Sequence, residues 1–295
     1  MTDIRNSLRG MTTPVVTPFD GHEIDWESYD RLLAHLVEGG VDGVFPCGTT
    51  GEFASLTADE RSRLVSRTVD VTPSDVSVVV GGTGTAIEEA TAWIETAADI
   101  GADAAAVTAP YFHTSNDPEG LRRFFQRVAD DSPVPVVLYN NPAYVGEPIP
   151  SRTVGELATH ESVVGLKDAS GDLTYASRVE DRVPEEFLLL QGFDSLLLAS
   201  MRMGFDGGMN MLSNVMPGAF VEILDAPESD RANDIHRDAI VPLFERGRAE
   251  GFAPVTKTVL AEHGIISSND VRPSLVPVEA DLVETAMARA DSVLS

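Results

Sequence analysis

The chain has 295 residues, with 47 Asp and Glu against 21 Lys and Arg, 43% apolar residues and one cysteine. That length fits one large α/β barrel with an appendage or two ordinary domains, and the apolar content argues against a disordered chain. No apolar run approaches the roughly 20 residues of a membrane-spanning helix, and a net charge of −26 opposes nucleic acid and anionic membranes as partners.

Cys47 alone cannot form an intrachain disulfide, and residues 1–10 are polar and lack the apolar core of a signal peptide, so the expected location is the cytoplasm. Only two of the basic residues are lysines, Lys167 and Lys257. A self-repelling acidic surface this poor in lysine suits molar salt, where the Debye length shrinks to about 3 Å. The expectation is a halophilic protein.

Short β-branched runs alternate with segments of helical period. Strands are expected at residues 13–16, 43–46, 76–80, 104–108, 134–139, 163–167, 187–190 and 207–211. Between them, Thr57 and Glu60 form a capping-box pattern, and Asp117 before Pro118 gives an N-cap followed by proline at the first helical position. Ile87, Ala90, Ile94 and Ala97 form one apolar stripe. Eight strands with a helix between successive pairs imply parallel pairing and right-handed crossovers, hence a closed (β/α)8 TIM barrel over residues 1–225. Residues 226–295 read as a C-terminal helical extension, with helices at 232–248, 252–263 and 278–294 separated by Gly251 and by Pro273 and Pro277.

Barrels of this kind do their chemistry at the carboxyl ends of their strands. After the second strand comes Gly48-Thr49-Thr50-Gly51-Glu52, where two glycines free the backbone to approach a ligand and two hydroxyls with adjacent N–H groups suit a carboxylate or phosphate. The fifth strand runs into Tyr139-Asn140-Asn141-Pro142. The sixth, apolar until its last residue, ends in Lys167-Asp168. A lysine chosen blind is a solvated or salt-bridged surface residue. One at the mouth of a barrel is different, because burial lowers a lysine's pKa and frees the amine to attack a carbonyl.

Together with Thr17-Pro18-Phe19, Ala109-Pro110-Tyr111, Gly192-Phe193-Asp194 and the Gly207-Gly208 pair, these motifs resemble the pyruvate-dependent class I aldolase family that contains dihydrodipicolinate synthase and N-acetylneuraminate lyase. The resemblance runs over essentially the whole chain. It implies a barrel with C-terminal helices, a homotetramer, no cofactor, and a Schiff base between pyruvate and Lys167. By the same resemblance Tyr139 is the proton shuttle, Thr49 joins its hydroxyl relay, and Thr50 with Gly48 and Gly51 holds the pyruvate carboxylate. Met209 completes the binding set.

Two departures bear on the substrate. Where dihydrodipicolinate synthases carry a second tyrosine after Pro-Tyr and an arginine beyond Tyr-Asn-x-Pro, this chain has Phe112 and Tyr144. The missing guanidinium would have bound the semialdehyde's carboxylate. The expectation is therefore a 2-keto-3-deoxygluconate-type aldolase giving pyruvate and glyceraldehyde or its phosphate, with the aldehyde half held by Asp194, Ser170 and the Gly192 backbone. Alternatives are a synthase-like condensation or a keto-deoxy-sugar-acid dehydratase on the same imine, and a non-catalytic metabolite-sensing barrel. Arg122 and Arg123 read equally as phosphate ligands or solvated charges. Cys47 reads as a small buried residue, and the six dispersed histidines imply no metal.

Overall fold

The structure, a computed structural model, describes residues 4–112 and 117–294. Eight parallel strands follow one another in sequence order around a single sheet. They are β1 (Thr12–Thr13), β2 (Gly43–Val44), β3 (Ser77–Gly81), β4 (Ala104–Thr108), β5 (Val136–Asn140), β6 (Val163–Asp168), β7 (Leu188–Gln191) and β8 (Gly207–Gly208). A parallel bridge between Met11 and Gly208 brings β8 back beside β1 and closes the barrel. Each strand expected from the sequence overlaps an observed one, although β1, β2 and β8 keep only two paired residues. A short antiparallel hairpin, Phe19–Asp20 with Glu23–Ile24, and a helix at Ile4–Leu8 were not anticipated.

The strands are buried on both faces, and alternate side chains enter two different cores. In β4, Ala104 and Ala106 join Val79, Val137 and Leu188 inside the barrel, while Ala105 and Val107 pack outward under the helices. The interior is filled by Phe45 and, from the N-terminal helix, by Leu8. The helices covering the barrel are α1 (Trp26–Glu38), α2 (Ala58–Val71), α3 (Ile87–Ile100), α4 (Pro118–Asp131), α5 (Ser151–Leu157), α6 (Leu173–Glu180), α7 (Leu197–Arg202) and α8 (Pro217–Asp225). The expected caps are present: Thr57 and Glu60 exchange both bonds of a capping box on α2, and Asp117 accepts from the Glu119 N–H on α4. Ala90, Ile94 and Ala97 of α3 are buried as one stripe together with Trp93.

Beyond α8 the chain continues as α9 (residues 230–250, with a π-helical stretch at Ile235–Ile240), α10 (Phe252–Glu262) and α11 (Asp281–Leu294). Ile235, Leu243, Phe244, Val255 and Val259 belong to the same apolar cluster as the outer face of the barrel. The last helix starts three residues later than position 278. No helix among the described residues is long and apolar enough to cross a membrane.

Candidate active site

A cavity of about 230 Å³ opens at the carboxyl ends of the strands. Lys167 and Tyr139 are register partners on β6 and β5. What turns Lys167 into the barrel is an irregularity three residues earlier, where Val136 pairs Val163 but Val137 pairs Gly165, leaving Val164 unpaired. In a regular strand Val164 and Lys167 would face opposite sides, since side chains alternate with period two. The extra residue resets the alternation, as bulges do near active sites. Val164 lies in the inner core and Leu166 in the outer one. Lys167, 4% exposed, places Nζ 4.1 Å from the Tyr139 ring centroid and 5.1 Å from that of Phe45. Gly192 leaves it room, because a Cβ there would lie 2.7 Å from Lys167 Cε.

The Tyr139 hydroxyl accepts a hydrogen bond from Asn141 Nδ2 at 3.0 Å and stands 3.5 Å from Thr49 Oγ1, the outer limit for such a bond. Burial by itself would raise the pKa of this phenol. The Lys167 charge and the bonds from Thr49, Asn141 and Lys167 outweigh burial, and the phenol ionises below its ordinary range.

Thr49 and Thr50 face the cavity from a turn with an unusual backbone. Cys47 enters it at φ +57° and Glu52 leaves it at φ +56°, both in the left-handed region. Gly81 is required beneath it, since a Cβ there would lie 2.1 Å from the Cys47 carbonyl oxygen. The turn is closed by Gly51 N–H to Gly48 O and Glu52 N–H to Thr49 O, both at 3.1 Å. Among the described residues, no backbone acceptor takes the Thr49 or Thr50 N–H. Thr49 and Thr50 line the same cavity as Lys167, and their hydroxyls and N–H groups suit a carboxylate. Gly48 and Gly51 shape the turn without lining the cavity.

The other residues singled out from the sequence are distributed unevenly. Met209 lines the cavity and is almost wholly buried. Asp194 also lines it, but its carboxylate accepts the Leu212 N–H at 2.7 Å and the Met211 N–H at 3.3 Å. Burial pushes its carboxyl up to about 6 in spite of those bonds. The Gly192 N–H donates to Asp168 O at 2.7 Å, so that group is committed to the sheet. Ser170 lies outside the cavity lining, donates its hydroxyl to Asp168 Oδ2 at 3.0 Å and accepts the Asp172 N–H at 3.1 Å. Asp168, on the outer face of β6, also accepts from Asn140 Nδ2 at 2.7 Å, tying β6 to β5 behind the site. Arg122 and Arg123 likewise do not line the cavity, and both pair with Glu119 along α4. Cys47 is buried, which pushes its thiol up to about 12 and makes it a poor nucleophile. Among the described residues no group of three or more His, Cys, Asp or Glu could hold a metal ion.

Sequence reasoning missed Asn141 and the outer wall of the cavity. Phe244, Phe252, Pro254 and Leu275 all come from beyond residue 240 and bring the C-terminal extension over the barrel mouth. Tyr144, 58% exposed, lines the same cavity from the segment after β5.

Residues 7–292 match the dihydrodipicolinate synthetase family. The chain belongs to that family. It is 34% identical over 268 residues to a 4-hydroxy-tetrahydrodipicolinate synthase of Syntrophus aciditrophicus, covering 90% of this chain and 91% of the relative. To the enzyme of the same name from Methanothrix thermoacetophila it is 37% identical over 234 residues, 78% of each chain. Among solved structures, the dihydrodipicolinate synthase of Thermotoga maritima superposes with a TM-score of 0.91 at 30% identity, covering 97% of this chain and 99% of that one. A monomeric dihydrodipicolinate synthase variant superposes equally well, at 29% identity over 100% and 99% of the two chains. The family consists of pyruvate-dependent carbon–carbon lyases that act through a lysine Schiff base without a cofactor. The names of these relatives favour the synthase-like condensation over the sugar-acid specificity expected from the sequence.

Proposed function

We propose that this chain joins pyruvate to an aldehyde, and splits the product, through an imine on Lys167. The observation that carries this reading is the Lys167 amine held inside the barrel mouth against the Tyr139 ring, in the cavity that Thr49 and Thr50 also line. The neutral amine adds to the ketone carbon of pyruvate, and the carbinolamine loses water to give the imine. Loss of a methyl proton makes an enamine, whose terminal carbon forms the new bond to the aldehyde carbon. The aldehyde oxygen takes up a proton to become the C4 hydroxyl, and water releases the product and the free amine. Tyr139, between Asn141 and Thr49, moves the proton at the carbinolamine and C4 oxygens.

The aldehyde half has two readings, each with its own support. Relatives 34% and 37% identical carry the name 4-hydroxy-tetrahydrodipicolinate synthase, which favours aspartate semialdehyde. The cavity wall favours a neutral hydroxyaldehyde such as glyceraldehyde, because among the described residues Lys167 is the one Lys or Arg lining it and Tyr144 stands where a guanidinium would fork onto a carboxylate. Initial rates of pyruvate condensation with each aldehyde, measured in molar KCl with product identification by mass, separate the two. A faster rate with the semialdehyde establishes the synthase reading, and a faster rate with glyceraldehyde the sugar-acid one. No carbon–carbon bond with either refutes the aldolase assignment, and loss of water from a keto-deoxy-sugar acid would mark a dehydratase. A homotetramer in a salt-rich cytoplasm completes the proposal, supported by the family resemblance and by the acidic excess.

A further inference from the structure

Lys257 is the second of the chain's two lysines and the reaction above does not use it. It lies on α10, is 0% exposed, and forms an ion pair with Glu52 Oε1, which is buried as well. Its Nζ also donates to Asp270 O at 2.8 Å and rests 4.1 Å from the Phe19 ring centroid. The other oxygen of Glu52 accepts the Arg272 N–H at 3.0 Å. Both carboxylate oxygens are therefore held by the segment beyond the barrel, 205 and 220 residues away in sequence.

Glu52 is also the last residue of the turn that presents Thr49 and Thr50. It adopts a left-handed φ of +56°, which costs a non-glycine residue energy and needs outside support. Its own N–H closes the turn on Thr49 O, and the preceding Gly51 carbonyl is held by Thr17 Oγ1 at 2.8 Å. A buried ion pair is a weak device for stability, because well-packed apolar residues do as well or better without desolvating two charges. What two charges joined by three directed hydrogen bonds supply is orientation. Here they orient Glu52, which closes the turn two residues after Thr50. The same α10 puts Pro254 on the cavity wall, so one rigid element contacts the substrate space and anchors the turn.

We propose that Lys257 and Glu52 are positioning residues that hold the Thr49-Thr50 turn in the shape that binds the pyruvate carboxylate. This rests on the pyruvate reading above. Neither side chain lines the cavity.

The test uses Glu52→Gln, Lys257→Met and the double variant, with thermal melting, steady-state kinetics for both substrates, and borohydride trapping across a range of pyruvate concentrations. Glu52→Gln keeps the size of the side chain and weakens the pair. It should raise KM for pyruvate roughly tenfold or more while kcat at saturation and the aldehyde KM stay within about twofold. The double variant removes both charges, so it should recover the melting temperature that Lys257→Met loses by stranding a buried carboxylate, yet keep the raised pyruvate KM. If Lys257→Met fails to fold, the other two variants decide. A double variant that binds pyruvate like the wild type overturns the proposal. So does a Glu52→Gln enzyme whose two KM values and kcat change in proportion to its loss of stability. A wild-type protein that traps no pyruvate overturns the functional reading and this inference with it, whereas normal trapping by wild type and variants alike overturns the inference alone.

Discussion

Replacing Tyr139 by phenylalanine removes a single oxygen and leaves the ring that Lys167 faces at 4.1 Å. The structural cost is small. The Asn141 bond at 3.0 Å is lost, worth about 1 kcal/mol of stability, and the Thr49 contact at 3.5 Å adds little. The kinetic cost should be far larger, because a positioned general acid–base contributes roughly 10² to 10⁴ in rate, or about 3 to 5 kcal/mol of barrier. Steady-state assays should therefore show kcat falling by that factor with a nearly unchanged pyruvate KM, and borohydride should still trap the imine at saturating pyruvate. The pH profile gives a second readout. Tyr139 ionises below a free tyrosine's value of about 10, so the wild-type rate should decline at a lower pH than that as the phenol loses the proton it must donate. The variant should lack this limb. A Tyr139→Phe enzyme that retains kcat within about threefold of wild type, or keeps the same alkaline limb, would refute the role assigned to the phenol.

Three further perturbations address other parts of the account. Asp194 has a folded-state pKa of about 6, raised from 3.8. Its contribution to stability is fully present below the unfolded value and lost as pH rises through about 6, so Asp194→Asn should flatten the melting-temperature slope across that window, and an unchanged slope would contradict the assignment. Tyr144→Arg should raise kcat/KM for aspartate semialdehyde by about tenfold by supplying a charged fork at the cavity wall, and no gain would mean that this position does not read the aldehyde's charge. With 47 acidic residues against 21 basic ones, the thermal midpoint should rise between about 0.1 M and 3 M KCl, as the Debye length falls from ~10 Å to under ~3 Å, and a flat or falling midpoint would reject the halophilic reading.

Much of the barrel was legible because its signal is local. Short apolar runs such as residues 104–108 are bounded by turns, and the Thr57–Glu60 box and Asp117-Pro118 start mark helices within a few residues. Lys167 and Tyr139 stood out for the same reason, each lying near the carboxyl end of a buried strand. What was not legible depends on contacts distant in sequence. Apolar Val163-Val164-Gly165-Leu166 looks the same with or without an unpaired residue, so the inward turn of Lys167 could be expected only from the resemblance. Ser170 sits three residues past Lys167, but the start of α6 bends it back onto Asp168. Phe252 and Leu275 carry no motif of their own, and only the packing of α9 and α10 on the barrel brings them over the cavity. The Glu52–Lys257 pair lay in plain sight as a motif glutamate and a scarce lysine, yet no spacing rule joins positions 52 and 257.

The central claim is that Lys167 carries the imine, and reductive trapping tests it most directly. Protein incubated with pyruvate and borohydride, then digested and mapped by mass spectrometry, should carry one pyruvate-derived adduct per chain on the peptide containing Lys167, with loss of activity. Lys257, wholly buried in its pair with Glu52, should stay unmodified. An adduct on Lys257, or no adduct in a protein that still condenses pyruvate with an aldehyde, would contradict the account.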